Sequence, residues 1–141
     1  MMTIKNWWSV VAWMSLIFLF STELFSGVNT TSFLQPILSS LLPDVSADQI
    51  ETVHLIIRKL GHWGEYFILA ILIIRALHAD LPAQSRLRRA AGAIAIATLY
   101  AASDEWHQSF VPSRSASIID VLIDCFGAMC GAFWFAWHRR D

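Results

Sequence analysis

The sequence predicts an all-α, polytopic membrane protein, with one domain over residues 1–141 and four transmembrane helices. Composition is the first indication, because 56% of the residues are hydrophobic, only 15% are charged and the mean hydropathy is +0.52. A soluble domain of this size needs more charged surface. The second indication is four separate apolar segments. The net charge of −1 offers no basic field, so we expect no nucleic-acid partner.

The four apolar segments each approach the roughly 17–25 residues of a spanning helix. The first is interpreted as an uncleaved span, because its small-residue cleavage pattern is weak and its Trp residues suit an anchor at the membrane interface. The second and third are short, carry polar residues near one end and need bundle partners. The predicted spans are Trp7–Leu24, Leu60–Leu77, Ala90–Trp106 and Ser117–Trp137.

A long connection joins the first two predicted spans. It contains turn residues and two amphipathic pieces, Ser32–Leu42 and Ser46–Leu60, which we expect to lie as interfacial helices. Ser46 followed by Gln49 is a capping-box pattern and predicts the start of the second piece.

Basic residues predict the orientation, because cytoplasmic loops are rich in Lys and Arg. With a cytoplasmic N-terminus, seven of the ten basic residues fall inside and three fall outside. We therefore expect a multi-pass protein of the cytoplasmic (inner) membrane with both termini cytoplasmic. The inner set is Lys5, Arg75, Arg86, Arg88, Arg89, Arg139 and Arg140, and the outer set is Arg58, Lys59 and Arg114.

In this topology, every predicted span brings acidic or histidine side chains to the outer membrane face. The spacings are helical: His62 and Glu65 are three residues apart, and Asp120 and Asp124 are four apart, so each pair shares a helix face. Small residues continue these faces and permit close packing. The remaining polar residues of this end are Glu23, Asp104, Glu105, His107, Gln108 and Arg114.

Charged groups at membrane depth cost about 2.5–3.5 kcal/mol each on insertion scales. Several in one chain therefore indicate a binding or catalytic site. A purely structural hydrogen-bond network between helices remains the alternative. The face with Gly127 and Gly131 also allows a homo-oligomer.

Cys125 and Cys130 are five residues apart on one predicted helix and point to different faces, so we expect no disulfide between them.

Two stretches and a short turn resemble the VanZ-like family, and the resemblance covers most of the chain. The stretches are RKLGHWGEYFILAILIIRAL (Arg58–Leu77) and YAASDEWHQSFVPSRSASIIDVLIDCFGAMCG (Tyr100–Gly131), and the turn is Ser21–Glu23. Ser113 departs from the glycine that many members have. The family pattern matches at Lys59, His62, Glu65, Tyr66, Asp104, Glu105, His107, Gln108, Pro112, Arg114, Asp120, Asp124 and Gly127.

The resemblance implies a bacterial or archaeal inner-membrane protein, with a namesake linked to low-level resistance to the glycopeptide teicoplanin. It implies no settled mechanism, and whether the protein is an enzyme stays open. The candidate catalytic residues are His62, Glu65, Asp104, His107, Asp120 and Asp124. The candidate substrate-binding residues are Lys59, Tyr66, Glu105, Gln108 and Arg114.

The residue types favour action on, or binding of, a phosphate-bearing envelope lipid. His107 or His62 would be general base or nucleophile, with Asp104 or Glu65 orienting the imidazole. Arg114 would hold the phosphate. Asp120 and Asp124 could hold a divalent metal, although neither spacing specifies a metal site.

Two other function classes remain open. In the first, the chain is a non-enzymatic membrane protein that binds a lipid, an antibiotic or a protein partner, and the polar residues hold the helices together. In the second, it is a proton-coupled transporter, which is less favoured because the chain has no inverted repeat.

Overall fold

The computed structural model describes residues 4–22, 36, 40, 46–112 and 116–138. Over these residues the secondary structure is helical, without strands. Four helices are defined, which confirms the all-α prediction. They are α1 (Ile4–Phe20), α2 (Ala47–Asp80), α3 (Arg86–Gln108) and α4 (Ile118–His138).

Helix α2 is longer than the sequence predicted. The second amphipathic piece and the second apolar segment form one continuous helix of 34 residues, which is about 50 Å at 1.5 Å per residue. Ser46 caps its start, and the reciprocal hydrogen bonds with Gln49 confirm the predicted capping box. A separate interfacial helix ending near Leu60 was therefore a wrong prediction. The first amphipathic piece, Ser32–Leu42, lies outside the described residues except at positions 36 and 40.

Two of the four helices, α2 and α4, are long and apolar enough to cross a membrane. Helix α1 is apolar but has only 17 residues. Helix α3 begins with three arginines within four residues and carries two acids near its end, and these charges lower its hydropathy. Helical structure is thus found where all four spans were predicted, while membrane-spanning character is found in two.

Helix α2 is central, because it packs against each of the other three helices, and α3 also packs against α4. Its contact with α4 includes a close approach of the two backbones. A Cβ atom built on Gly127 would lie 2.3 Å from the carbonyl oxygen of Trp63, and one on Gly131 would lie 2.3 Å from that of Phe67. Only glycine permits this approach. The later glycine of α4 meets the later residue of α2, so α2 and α4 run parallel.

The opposite face of α4 carries large apolar side chains on the outside of the bundle. Leu122, Phe126, Phe133 and Trp137 are each more than half exposed. A contiguous apolar surface of this kind suits lipid better than water. The glycine face, by contrast, is covered by α2, so a homo-oligomer through Gly127 and Gly131 would have to displace that helix.

Hydrogen bonds fix the remaining helix directions. Asp80 at the end of α2 accepts from Asn6 Nδ2 at 2.6 Å and from Trp7 Nε1 at 2.8 Å, so α1 and α2 are antiparallel. Cys125 and Cys130 are both free thiols, as predicted.

Candidate functional site

A polar cluster lies where α1 and α3 end and α4 begins, beside the middle of α2. Its members come from three helices, and each is at most 7% exposed. They are distant in sequence and are brought together by the packing of the helices. The charge of Asp124 interacts with those of Asp104 and Asp120, which places the acids of α3 and α4 around one centre. The polar cluster consists of His62, Asp104, Glu105, Gln108, Asp120 and Asp124.

His62 and Asp124 form a buried pair that joins α2 to α4 within the polar cluster. Nδ1 of His62 lies 3.2 Å from Oδ1 of Asp124, and the Asp124 side chain has no exposed surface. A carboxylate at Nδ1 orients the ring and directs Nε2 to the other side. Asp104 or Glu65 was expected from the sequence to orient the imidazole, but the carboxylate that lies at Nδ1 of His62 is that of Asp124.

Asp120 lies one turn before Asp124 and accepts from two cations of α2. Arg58 Nη2 is 3.1 Å from its Oδ2, and Lys59 Nζ is 3.1 Å from its Oδ1. The Asp120 side chain is 7% exposed, while those of Arg58 and Lys59 are 25% and 45% exposed. The two cations therefore form the rim between the buried acids and the outside of the protein.

Asp104 connects α3 to the end of α1. Its Oδ2 accepts from the hydroxyl of Ser21 at 2.6 Å and from Gln108 Nε2 at 3.0 Å. Gln108 Nε2 also lies 3.4 Å from Ser21 Oγ, so the three side chains close a buried ring of hydrogen bonds. This arrangement is the one expected of a structural network.

Glu105, next in sequence, turns away from this ring. Its Oε2 accepts from the backbone N–H of Ser117 at 2.7 Å, just before α4 begins. Its Oε1 is buried and has no hydrogen-bond partner among the residues that the structure describes. One ligand-type atom each of Glu105, His62 and Asp120 lie within 4.8 Å of one another. These residues could hold a metal ion.

Tyr66 and Glu65 belong to the same stretch of α2. Tyr66 is fully buried, and its hydroxyl has no hydrogen-bond partner among the described residues, although Asp104 and Asp124 are near enough to interact with it electrostatically. Glu65 is half-buried and contributes to the electrostatic environment of His62. Its backbone carbonyl accepts from Trp13 Nε1 at 2.9 Å, which ties α1 to α2.

His107 lies on the side of α3 that faces α1. Its ring packs on Phe18 with the centroids 4.6 Å apart, and its buried Nδ1 lacks a hydrogen-bond partner within the described ranges. Of the two predicted histidines, His62 is thus the one paired with a carboxylate. Glu23, Ser113 and Arg114, which the sequence analysis also singled out, lie outside the described residues.

Two residues of this region were not among the predicted site residues. Arg58 was counted only as a loop charge, although it lies one turn before His62 on the same face of α2. Ser21 was noted only as part of a turn, but it supplies the hydroxyl donor to Asp104. The i, i+4 spacing from Arg58 to His62 was the signal available for the first.

The model of the family described as VanZ/LLP1 matches residues 7–139, nearly the whole chain. The chain belongs to the VanZ/LLP1 family. No curated protein and no solved structure matches it. Together with the two apolar helices, family membership indicates that this VanZ/LLP1 chain is a membrane protein.

Proposed function

We propose that this VanZ/LLP1 protein is a multi-pass protein of the inner membrane that binds and acts on a phosphate-bearing envelope lipid. The polar cluster would face the non-cytoplasmic side, with both termini cytoplasmic. The observation that carries the proposal is the order of groups from rim to interior. Arg58 and Lys59 lie outermost, and Asp120, His62 and Asp124 lie buried behind them.

The rim cations are suited to a lipid phosphate. A guanidinium binds phosphate oxygens through paired N–H donors, and an ammonium adds a point charge. Both cations already bind the Asp120 carboxylate. A lipid phosphate would therefore have to compete with Asp120 for the N–H donors of Arg58 and Lys59. Arg114 remains a proposed third phosphate ligand.

His62 would be the reacting base or nucleophile, and Asp124 would hold its ring and stabilise the imidazolium that forms. The buried setting excludes bulk water, so the charge of Asp124 acts on the ring with little screening.

A contribution to glycopeptide resistance is part of this proposal, through the lipids on which the cell envelope is built.

The test uses the purified full chain in lipid nanodiscs. Inorganic phosphate release is measured from polyprenyl phosphates and from glycerophospholipid phosphates. His62→Ala and Asp124→Asn should each lower turnover by about 10²-fold or more, as expected for loss of general-base catalysis. His54→Ala is the matched control, because it lies on the same helix two turns before His62 and should leave turnover unchanged. No release by the wild-type protein from either substrate class would refute catalysis.

A non-enzymatic role in binding a lipid, an antibiotic or a protein is the second candidate. The Ser21–Asp104–Gln108 ring favours it, because those hydrogen bonds join α1 to α3 as a structural network does. Under this alternative, teicoplanin tolerance of a susceptible host expressing the variants should follow the amount of folded protein. Under the enzymatic proposal, His62→Ala should lose tolerance while folding normally.

A further inference from the structure

We propose that His62, Glu105 and Asp120 form a divalent metal site of the kind that takes Mn²⁺ or Zn²⁺. A ligand atom from each residue lies within 4.8 Å of the other two. Three ligands of one such metal at tetrahedral angles are about 3.3–3.6 Å apart, because each bond is about 2.0–2.2 Å long. Side-chain movements of about 1 Å would therefore close the site.

Buried carboxylate oxygens without hydrogen-bond partners are a sign of a missing ligand. Among the described residues of the polar cluster they are Glu105 Oε1, Asp104 Oδ1 and Asp124 Oδ2, and of these residues Glu105 belongs to the group of three. Glu105 is 4% exposed, and its Oε1 is buried with no hydrogen-bond partner in the described part of the chain. A buried acceptor without a donor is unfavourable. The other oxygen is fixed by the Ser117 N–H, so the carboxylate is held in place. A cation at Oε1 would supply the absent partner.

The His62–Asp124 pair is the second sign. Metal-binding histidines commonly use one ring nitrogen for the metal and donate the other N–H to a carboxylate, which fixes the tautomer. Asp124 lies at Nδ1 of His62, so Nε2 is the nitrogen left for a metal. With both ring nitrogens engaged, His62 of the metal-bound protein would be a ligand, and its proposed role as base or nucleophile would apply only to the metal-free protein. Asp124 would thus act outside the ligand shell. This differs from the Asp120–Asp124 metal pair considered from the sequence.

The charges around the site also favour a cation. Four buried carboxylates come together, from α3 and α4, while Arg58 and Lys59 are the permanent cations paired with them among the described residues. Both cations bind Asp120 from the rim, and each carboxylate oxygen retains a second lone pair for a metal. One imidazole and two carboxylates form a mixed nitrogen and oxygen ligand set, which suits Mn²⁺ or Zn²⁺ better than Ca²⁺.

This metal site does not depend on the proposed lipid. It can be measured on the full chain in detergent, without phospholipid, after stripping with a chelator. Mn²⁺ binding is followed by electron paramagnetic resonance, and Zn²⁺ binding by titration calorimetry, with Ca²⁺ as the comparison. We expect stoichiometric, saturable binding of Mn²⁺ and Zn²⁺, and nitrogen coupling to the bound Mn²⁺ that is lost in His62→Gln.

Three isosteric variants make the test specific. Glu105→Gln keeps an oxygen for the Ser117 N–H but loses the anionic ligand, so Mn²⁺ affinity should fall by about tenfold or more. Asp124→Asn should weaken binding by about 10–100-fold, as an outer-shell partner of a ligand does. Glu51→Gln is the control, because it removes a carboxylate from the exposed start of α2, away from the polar cluster, and should keep the wild-type affinity.

Circular dichroism melting in detergent would show which variants are folded. Absence of stoichiometric Mn²⁺ and Zn²⁺ binding by the wild-type protein overturns the proposal, and so does equal loss of affinity in Glu105→Gln and Glu51→Gln. Metal binding without phosphate release would leave the metal site standing and refute only the catalytic part of the proposed function.

Discussion

Nδ1 of His62 lies 3.2 Å from Oδ1 of Asp124, and one turn earlier Arg58 pairs with Asp120 across the same two helices. Both pairs span 62 residues of sequence. Because α2 and α4 are parallel, moving four residues along α2, from Arg58 to His62, corresponds to moving four residues along α4, from Asp120 to Asp124. The site is therefore a consequence of how these two helices are aligned.

The close approach of α4 to α2 makes Gly127 intolerant of any side chain. Gly127→Ala would place Cβ 2.3 Å from the Trp63 carbonyl, so the helices must separate, at a cost of about 1–3 kcal/mol. The measurement is the midpoint of thermal unfolding in detergent. Gly61→Ala is the control, because its Cβ meets nothing within 4 Å, and it should be neutral or stabilising. Equal destabilisation by both changes would contradict the packing.

The hydroxyl of Ser21 should be energetically coupled to Asp104. Ser21→Ala removes a buried donor 2.6 Å from Oδ2 and should destabilise the fold by about 1–3 kcal/mol. In a double-mutant cycle with Asp104→Asn, the coupling energy should be about 0.5–3 kcal/mol. Ser15→Ala, whose hydroxyl bonds only within α1 on an exposed face, should have little effect. Additive effects of Ser21→Ala and Asp104→Asn would exclude the contact.

Arg58 and Lys59 should differ in their contribution to stability although both bind Asp120. The Arg58 side chain is 25% exposed and that of Lys59 is 45% exposed, so solvent screens the lysine more strongly. We expect Lys59→Met to cost at most about 1 kcal/mol and Arg58→Met about 1–3 kcal/mol. Unfolding by denaturant in detergent would compare them. A larger loss for Lys59→Met would reverse the assignment of the stronger pair.

Orientation in the membrane can be tested with single cysteines. In a background of Cys125→Ala and Cys130→Ala, Ala116→Cys lies at the polar-cluster end and Gln84→Cys at the opposite end, both at exposed positions. The basic-residue distribution predicts that an impermeant maleimide labels Ala116→Cys in intact cells and labels Gln84→Cys only after lysis. The reverse pattern would place the polar cluster on the cytoplasmic side.

Sequence periodicity predicted the helices and the cap at Ser46, but not that one helix continues from Ala47 to Asp80. The polar run around Arg58 and Lys59 resembled a boundary between an interfacial helix and a span. No proline interrupts the run, and the backbone continues through Gly61 and Gly64, because glycine weakens a helix without ending it. The polar side chains around Arg58 and Lys59 therefore mark a change of surroundings within α2 and not the end of a helix.

Which acids meet which partners could not be predicted from spacing alone. Neighbouring residues on a helix point about 100° apart. Asp104 consequently faces α1, where Ser21 lies, and Glu105 faces the start of α4, where Ser117 lies. The sequence identified both carboxylates, but only the arrangement of the surrounding helices distinguishes the hydrogen-bonded ring from the group with His62 and Asp120.

The glycine contact between α2 and α4 has a consequence for register. Gly127 and Gly131 are one turn apart, as are Trp63 and Phe67, so a slip of about 5.4 Å would still seat one glycine on a facing carbonyl. Close packing of the glycines alone therefore does not specify a single register of α4 on α2. The ionic pairs disfavour either slip, because a slip in one direction would leave Arg58 without a carboxylate and a slip in the other would leave His62 without one. Groups suited to chemistry would then also specify the alignment on which that chemistry depends.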